Sequence, residues 1–225
     1  MNVTLISCFR NAESYIDRYF DQIDHLADSI EMRGDCLNLI WGEGDSTDYT
    51  LLQLQRAVRW LNLATQIVDC THGGPVFGSV VNEQRFRQLA HVGNCMWKAI
   101  PADADVVLYV ESDLIWDAET MLRLIDDLQR VPAVAPVVME LSTGGFYDTF
   151  CFRKDGAQFK KYPPYHPGLT GGMVELDSAG SCVAMNADLA RHLVWDERVF
   201  VGICQQIREL GGSLWLNPNL TIHHP

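Results

Sequence analysis

Apolar and polar residues alternate in blocks along the chain, and the blocks have two different periods. Short apolar runs predict β-strands over residues 3–8, 37–41, 65–68, 106–110 and 133–139. Between them, apolar residues recur at the spacing of one helical face, which predicts helices over residues 13–30, 49–63, 82–100 and 117–130. This β-α-β-α order indicates a largely parallel sheet whose ligand sites lie at the carboxyl ends of the strands.

The pattern changes after residue 140. Residues 146–152 and 173–185 predict antiparallel strands on either side of a loop over 156–172 that is rich in Gly, Tyr and Pro, and residues 213–216 predict another short strand. No internal repeat or linker divides the chain. We therefore predict a single Rossmann-like α/β domain over residues 1–225, with a mixed, mostly parallel central sheet and a smaller antiparallel part.

Composition narrows the class of protein. The 225 residues are 48% hydrophobic, which is enough for one full core. The net charge of −12 is unfavourable for a surface that binds nucleic acid. The seven cysteines are scattered without a C-x-x-C pair, which is typical of reduced thiols in a cytoplasmic protein. No apolar stretch reaches 18 residues, so we expect no transmembrane segment.

The most informative segment is the strand at 106–110, which is followed by Glu111, Ser112 and Asp113. If the extended backbone continues, side chains two residues apart point to the same face, so the two carboxylates would share one divalent cation. Oxygen ligands of this kind suit Mn²⁺ or Mg²⁺. Such a metal is what a nucleotide-sugar transferase needs to neutralise its departing diphosphate. The alternative is a strand that ends in a solvated acidic turn.

Six segments in order resemble one family. They are residues 8–13 (CFRNAE), 43–50 (EGDSTDYT), 85–90 (RFRQLA) with Asn94, 111–113 (ESD), 146–150 (FYDTF) and the tail at 218–224. This set is similar to GT-A glycosyltransferases, most of all to the fungal α-mannosyltransferases of the cryptococcal capsule type and the Anp type. The resemblance implies a metal-dependent hexosyltransferase that uses a GDP- or UDP-sugar. Residues 1–115 would bind the donor and residues 116–225 the acceptor.

The resemblance also implies a set of donor-binding residues. These are Phe9, Arg10, Asn11, Glu13, Glu43, Asp45, Arg85, Arg87, Asn94, Glu111 and Ser112. Each has an ordinary structural alternative: a strand-to-helix connection for 9–13, a helix cap within 43–50, and a solvated helix end for the two arginines. The related families often carry Arg immediately before the asparagine, where this chain has Gly93. This departure shifts the expected diphosphate contact to Arg85.

The catalytic candidates are Asp113, Asp148 and Asp177. Inverting GT-A enzymes place an acidic pair at the start of the last helix, and in this chain the matching positions near 199–201 are apolar. A retaining reaction needs no strong external base, so the missing pair agrees with the retention that the resemblance implies. Asp148 and Asp177 would then contact sugar or acceptor hydroxyls. Turn and strand-end roles are their alternatives.

The tail supplies the third expected metal ligand. In the resembling families a histidine near the end of the catalytic domain reaches back to the metal, and the register places it at His224, with His223 one position out. Neutral imidazole is a reasonable partner for Mn²⁺ beside carboxylates. The alternative is a solvated chain end.

The function has three interpretations, two of which are transferases with different acceptors. In the first, the acceptor is a glycan or glycolipid hydroxyl. The second is a hydroxymethylated base in phage DNA, which the acidic charge of the chain disfavours. The third is a GT-A-like module that binds a nucleotide sugar without turning it over, since the acid pair is absent.

Overall fold

The computed structural model describes residues 1–78, 80–169 and 171–225, and within them strands and helices alternate as expected. The strands are β1 (Asn2–Phe9), β2 (Cys36–Glu43), β3 (Ala64–Asp69), β4 (Val106–Val110), β5 (Ala133–Glu140), β6 (Arg153–Lys154), β7 (Ala157–Gln158), β8 (Val174–Leu176), β9 (Cys182–Asn186) and β10 (Leu214–His224). The helices are α1 (Ile16–Glu31), α2 (Thr50–Trp60), α3 (Glu83–Trp97), α4 (Ala118–Asp127), α5 (Ala187–Ala190) and α6 (Phe200–Glu209).

Eight strands form one sheet in the order β3-β2-β1-β4-β9-β5-β10-β8. The pairs β2–β3, β1–β2, β1–β4 and β5–β10 are parallel. Strand β9 runs antiparallel between β4 and β5, and β8 runs antiparallel at the edge. The short strands β6 and β7 form a separate antiparallel pair. This arrangement confirms the predicted α/β class with a mostly parallel central sheet and a smaller antiparallel part.

The sheet is buried because helices cover it. All five residues of β4 are buried, as its continuous apolar run predicts for a central strand. Helix α1 places Ile16, Tyr19, Phe20 and Ile23 in the core at helical spacing. The predicted cap of α4 is confirmed, because Asp117 accepts a 2.7 Å hydrogen bond from the Thr120 backbone N–H. None of the helices in the described ranges has the length and apolar character needed to cross a bilayer.

Three predicted elements after residue 140 differ from the structure: one is absent, one is divided in two and one is longer than predicted. Residues 146–152 form turns and a single bridge instead of a strand, because Phe146 and Phe152 pack against each other with ring centroids 4.8 Å apart. Residues 173–185 form two strands, β8 and β9, which are separated by a turn and lie at different places in the sheet. The strand predicted at 213–216 continues to His224, with a register shift between Asn217 and Thr221.

Candidate functional site

The turn after β1 is tied to the loop after β2. Asn11 adopts φ 54°, and its Oδ1 accepts a 2.8 Å hydrogen bond from the Thr47 N–H. The Glu13 carboxylate accepts a 3.2 Å bond from the Tyr49 N–H. These contacts fix the turn, as expected for Asn11 and Glu13. Because Phe9 is the register partner of Glu43, the two loops rise side by side at the carboxyl edge of the sheet.

A pocket of about 210 Å³ opens beside this turn, and we call it the β1–β2 pocket. It is lined by Cys8, Phe9, Arg10, Gly42, Gly44, Cys70, His72, Val76, Phe77, Arg85, Gln88, Leu89 and Val92. Gly44 is required where the loop crosses the end of β3, since a Cβ there would lie 2.5 Å from the Cys70 carbonyl carbon. Three of the predicted donor residues, Phe9, Arg10 and Arg85, therefore line one concave surface.

Other predicted donor residues beside this pocket bond to the protein itself. The Asp45 carboxylate accepts hydrogen bonds from the backbone N–H groups of His72 and Gly73, and the His72 bond is the largest cause of its lowered pKa. The imidazole of His72 accepts a bond from the Gly74 N–H, and burial lowers its pKa. The buried Glu43 accepts a 3.2 Å bond from the Ser46 N–H. Donor contact by Asp45 and Glu43 stays a prediction.

The two arginines of the α3 start are separated. Arg85 lies at the rim of the β1–β2 pocket and donates a 3.3 Å hydrogen bond to the Val80 carbonyl. Arg87 points away from this pocket and pairs with Glu83 and Glu197 on an exposed surface. The shift of the expected diphosphate contact toward Arg85 agrees with this geometry.

Asn94 and Gly93 build a junction between α3 and the segment before α6. The Asn94 amide donates to the Trp195 carbonyl at 2.9 Å and accepts from the Trp195 N–H at 3.0 Å. A Cβ at Gly93 would lie 2.2 Å from the Trp195 ring. The absence of an arginine at position 93 therefore has a packing reason. Donor binding by Asn94 stays a prediction, since both ends of its amide already have partners.

The acid-x-acid segment departs from the extended form. Strand β4 ends at Val110, and the Leu114 N–H donates to the Glu111 carbonyl, which closes a turn. Ser112 is buried and donates to the Cys8 carbonyl at 2.7 Å, so it joins β1 to this turn. The expectation that strand alternation aligns Glu111 with Asp113 is therefore wrong in its backbone geometry, although the two charges remain neighbours.

Asp113 meets His224 at the sheet edge. His224 Nε2 lies 3.3 Å from Asp113 Oδ2, and the backbones of His223 and Ile115 form a bridge that brings the two segments together. Tyr147 stacks on the His224 ring with centroids 3.8 Å apart. Burial lowers the pKa of His224, but hydrogen bonding to Asp113 and its negative charge outweigh this, and the net direction is upward.

These two side chains fit a divalent cation. Asp113 Oδ1 is buried and has no hydrogen-bond partner, which is costly for a carboxylate unless something else pairs with it. Across the described ranges, no group of three His, Cys, Asp or Glu side chains is arranged to hold a metal. Asp113 and His224 would thus supply two ligands and leave the remaining positions open, as catalytic metals require.

A second cavity, of about 270 Å³, adjoins the first, and we call it the aromatic pocket. It is lined by Val80, Val81, Arg85, Phe86, Leu89, Tyr109, Glu111, Tyr147, Asp148, Thr149, Phe150, Cys151, Ser181, Trp195, Val199 and Phe200. Arg85 and Leu89 belong to both pockets. The two cavities are therefore neighbours with a guanidinium at their junction.

Two carboxylates lie in the aromatic pocket. Asp148 accepts a 2.9 Å bond from the Cys151 N–H and a 3.1 Å bond from the Ser181 hydroxyl. Burial raises the pKa of Asp148. Burial, with the nearby charges of Asp113 and Asp148, raises the pKa of Glu111 to about 8. The predicted candidates Asp148 and Glu111 are thus brought together.

Asp177 and the start of α6 have other partners. The Asp177 carboxylate accepts from the Gly156 N–H at 2.7 Å, beside the β6–β7 pair and outside both pockets. The expected apolar start of α6 is present, and Val199 lines the aromatic pocket with φ 47°, which is a rare backbone state for a β-branched residue. The nearby Asp196 pairs with Arg198.

Sequence reasoning did not identify several residues that line the pockets, notably His72, Tyr147, Phe150, Ser181 and Trp195. Tyr147 and Phe150 belong to residues 146–150, one of the segments that resemble the glycosyltransferases, so the resemblance could have identified them as site residues. Trp195 has no local signal, because it reaches the site through its contact with α3.

Several solved structures share this fold. S. aureus TarS 1–349 matches with a TM-score of 0.61 at 14% identity, over 99% of this chain and 60% of the TarS chain. The complex of TarS 1–349 with UDP gives a TM-score of 0.59 at 13% identity, over 99% and 60% of the two chains. The complex with UDP-GlcNAc gives 0.55 at 14%, over 99% and 58%.

No protein-family model matches the chain, and no curated protein matches its sequence. The chain spans about three fifths of the TarS fragment that it matches. The likeness is therefore one of fold, and it agrees with the predicted α/β fold with a mostly parallel central sheet. The two complexes show that TarS 1–349 binds UDP and UDP-GlcNAc.

Proposed function

We propose that this chain is a metal-dependent glycosyltransferase that moves a hexose from a nucleotide sugar to an acceptor hydroxyl. The observation that carries the proposal is the Asp113–His224 pair with its unpaired buried oxygen. The pair lies next to the aromatic pocket, because Tyr147 lines that pocket and stacks on His224. The TarS complexes support it, since a protein of the same fold binds UDP-GlcNAc. Nucleotide ligands of such open sheets lie at the carboxyl ends of the strands.

Each pocket has a distinct part in this proposal. The β1–β2 pocket takes the nucleoside, with Phe9 and Arg10 on its wall. Arg85 takes the diphosphate, because a planar guanidinium pairs with phosphate oxygens through two hydrogen bonds. The residues that line the aromatic pocket come from both halves of the chain: some lie between positions 80 and 111 and the others between 147 and 200. Both the 1–115 and the 116–225 segments therefore contribute to the proposed site.

Asp113 and His224 would hold a divalent cation, Mn²⁺ or Mg²⁺, on the protein side of the donor site. Such an ion would supply positive charge against the leaving diphosphate. Arg85 adds a positive charge that does not depend on the ion, and the Glu111 carboxyl lines the aromatic pocket close to Asp113 and Asp148.

Stereochemistry and acceptor follow from the sequence resemblance. We expect retention of the anomeric configuration, as in the fungal α-mannosyltransferases, because the start of α6 is apolar at Val199. A glycan or glycolipid hydroxyl is the preferred acceptor, since the net charge of −12 disfavours DNA. The scattered free cysteines favour a cytoplasmic location.

Donor hydrolysis and thermal unfolding test the proposal together. The protein is incubated with UDP-, GDP- and CDP-sugars, with Mn²⁺ and with EDTA. One nucleotide should stabilise the protein only when metal is present, because carboxylates and diphosphate repel each other without it. At about 100 times Kd the gain is about 2.7 kcal/mol. Equal stabilisation with and without Mn²⁺ contradicts the metal dependence. Binding without hydrolysis or transfer to any glycan would identify a binding module instead.

A further inference from the structure

The aromatic pocket lies between the proposed metal site and the β1–β2 pocket. Tyr147 lines it and stacks on His224, while Arg85 and Leu89 line it together with the β1–β2 pocket. This inference rests on the proposed function. If a nucleoside occupies the β1–β2 pocket and its diphosphate extends past Arg85 to Asp113, the sugar on the second phosphate enters the aromatic pocket.

The walls of this pocket suit the C–H faces of a sugar ring. Phe86 and Phe150 are stacked with ring centroids 5.1 Å apart on one side. Trp195 and Phe200 meet edge to face at 4.8 Å on another. Apolar walls with a few placed polar groups are the usual construction of a small-molecule site. The aromatic walls bury the sugar ring whatever its substituents, so the choice between sugars depends on the polar groups of the pocket.

One part of the aromatic pocket, which we call its floor, is formed by the acids Glu111 and Asp148 and the hydroxyl of Ser181. Asp148 is held by the Cys151 N–H and the Ser181 hydroxyl, and Glu111 lies beside it. Gly180 makes room for this carboxylate, since a Cβ there would lie 2.6 Å from Asp148 Oδ2. Among the described residues that line the pocket, Arg85 carries the only positive charge, and it lies at the junction where the diphosphate passes.

We propose that the aromatic pocket selects an uncharged hexose as the transferred group, with Asp148 accepting a hydrogen bond from one of its hydroxyls, and that it excludes hexuronic acids. A hydroxyl is a donor that these carboxyl oxygens can pair with. A carboxylate on the sugar would lose its water, would gain no cation once Arg85 pairs with the diphosphate, and would lie against the Asp148 carboxylate. The pocket therefore distinguishes –CH₂OH from –COO⁻ at the sugar.

The experiment compares donors that differ only at the sugar C6. Affinity for UDP-glucose and UDP-glucuronic acid is measured by titration calorimetry with Mn²⁺, or for GDP-mannose and GDP-mannuronic acid if GDP binds more tightly than UDP. The uncharged donor should bind about tenfold more tightly or better, as expected when one ligand carries an unpaired buried charge. Equal affinity, or preference for the uronic acid, overturns the proposal.

Variants of the floor then assign the selection to Asp148. The ratio of the two affinities should fall toward one in Asp148→Asn, and Ser181→Ala should lower it by a smaller factor because the carboxylate loses one of its two donors. Asp126→Asn removes the same charge from an exposed pair with Arg33 and should leave the ratio unchanged. An unchanged ratio in both floor variants contradicts the role of Asp148. If Asp148→Asn does not fold, Ser181→Ala and the wild-type ratio still decide.

Failure of this inference is distinguishable from failure of the proposed function. Free UDP and GDP are titrated with Mn²⁺ beside the sugars. If neither nucleotide binds, the glycosyltransferase proposal fails. If one binds and the two sugars bind equally, the donor site stands and only the selection of an uncharged hexose is refuted.

Discussion

Asp113→Asn tests whether the Asp113–His224 pair acts in the proposed transfer reaction or only stabilises the fold. The change keeps the shape of the side chain and removes its charge. The Asp113 side chain is 37% exposed and that of His224 is 21% exposed, so water screens their pair. Such a pair contributes at most about 1 kcal/mol to folding. Because Asp113 Oδ1 has no partner in the protein, the change breaks no further internal hydrogen bond.

The effect on transfer should be much larger than the effect on folding. Loss of a ligand to a catalytic metal removes several kcal/mol of transition-state stabilisation. A loss of about 3 kcal/mol lowers the rate by about 10²-fold, since each 1.36 kcal/mol is a factor of ten. We therefore expect transfer near the detection limit in a protein whose urea midpoint is almost unchanged.

The assay measures donor hydrolysis or transfer at several Mn²⁺ concentrations, together with urea unfolding. Asp126→Asn is the matched control, because it breaks an exposed ion pair with Arg33 by the same chemical change. The control should keep wild-type turnover and stability. Turnover in Asp113→Asn within a few fold of wild type, or full wild-type turnover in EDTA, would refute the metal site. A loss of stability that matches the loss of activity would show that the role is structural.

Two further predictions concern α3. Gly93→Ala should destabilise the protein by about 1–3 kcal/mol through overpacking against Trp195, even though alanine is the better helix former, and a higher urea midpoint would contradict this packing. Arg85→Lys should weaken binding of the nucleoside diphosphate in titration calorimetry. Arg87→Lys should not, because Arg87 pairs with acids outside the β1–β2 pocket. Equal effects of the two variants would refute the diphosphate contact of Arg85.

The first 140 residues follow sequence reasoning closely because their elements are set by local pattern. The buried run of β4 and the helical spacing in α1 each specify one element without help from the rest of the chain. The failure at 146–152 has a tertiary cause. Its aromatic residues have high strand propensity, but Phe146 and Phe152 pack with Phe159 in a cluster inside a long loop. Propensity yields to packing there.

The site was predictable where chemistry is concentrated in a few adjacent residues. Asp113 and Arg10 stand out because they follow predicted strands. The approach of His224 to Asp113 depends on β10 lying beside β5 and on the bridge between His223 and Ile115. No local pattern specifies that order of strands. The resemblance to the mannosyltransferase families indicated that a histidine near the end of the domain approaches the metal site. Nothing in the sequence indicated the walls of the aromatic pocket, because they come from distant segments.

The antiparallel direction of β9 has a consequence for how the aromatic pocket can vary. Strand β5 leaves the sheet at the edge that carries the candidate site, and β9 enters it at the same edge, so residues 141–181 begin and end at one place. This excursion carries Tyr147, Asp148 and Ser181 into the pocket. Its length and composition can therefore be exchanged between related proteins, or by design, while the strands around the β1–β2 pocket keep their register.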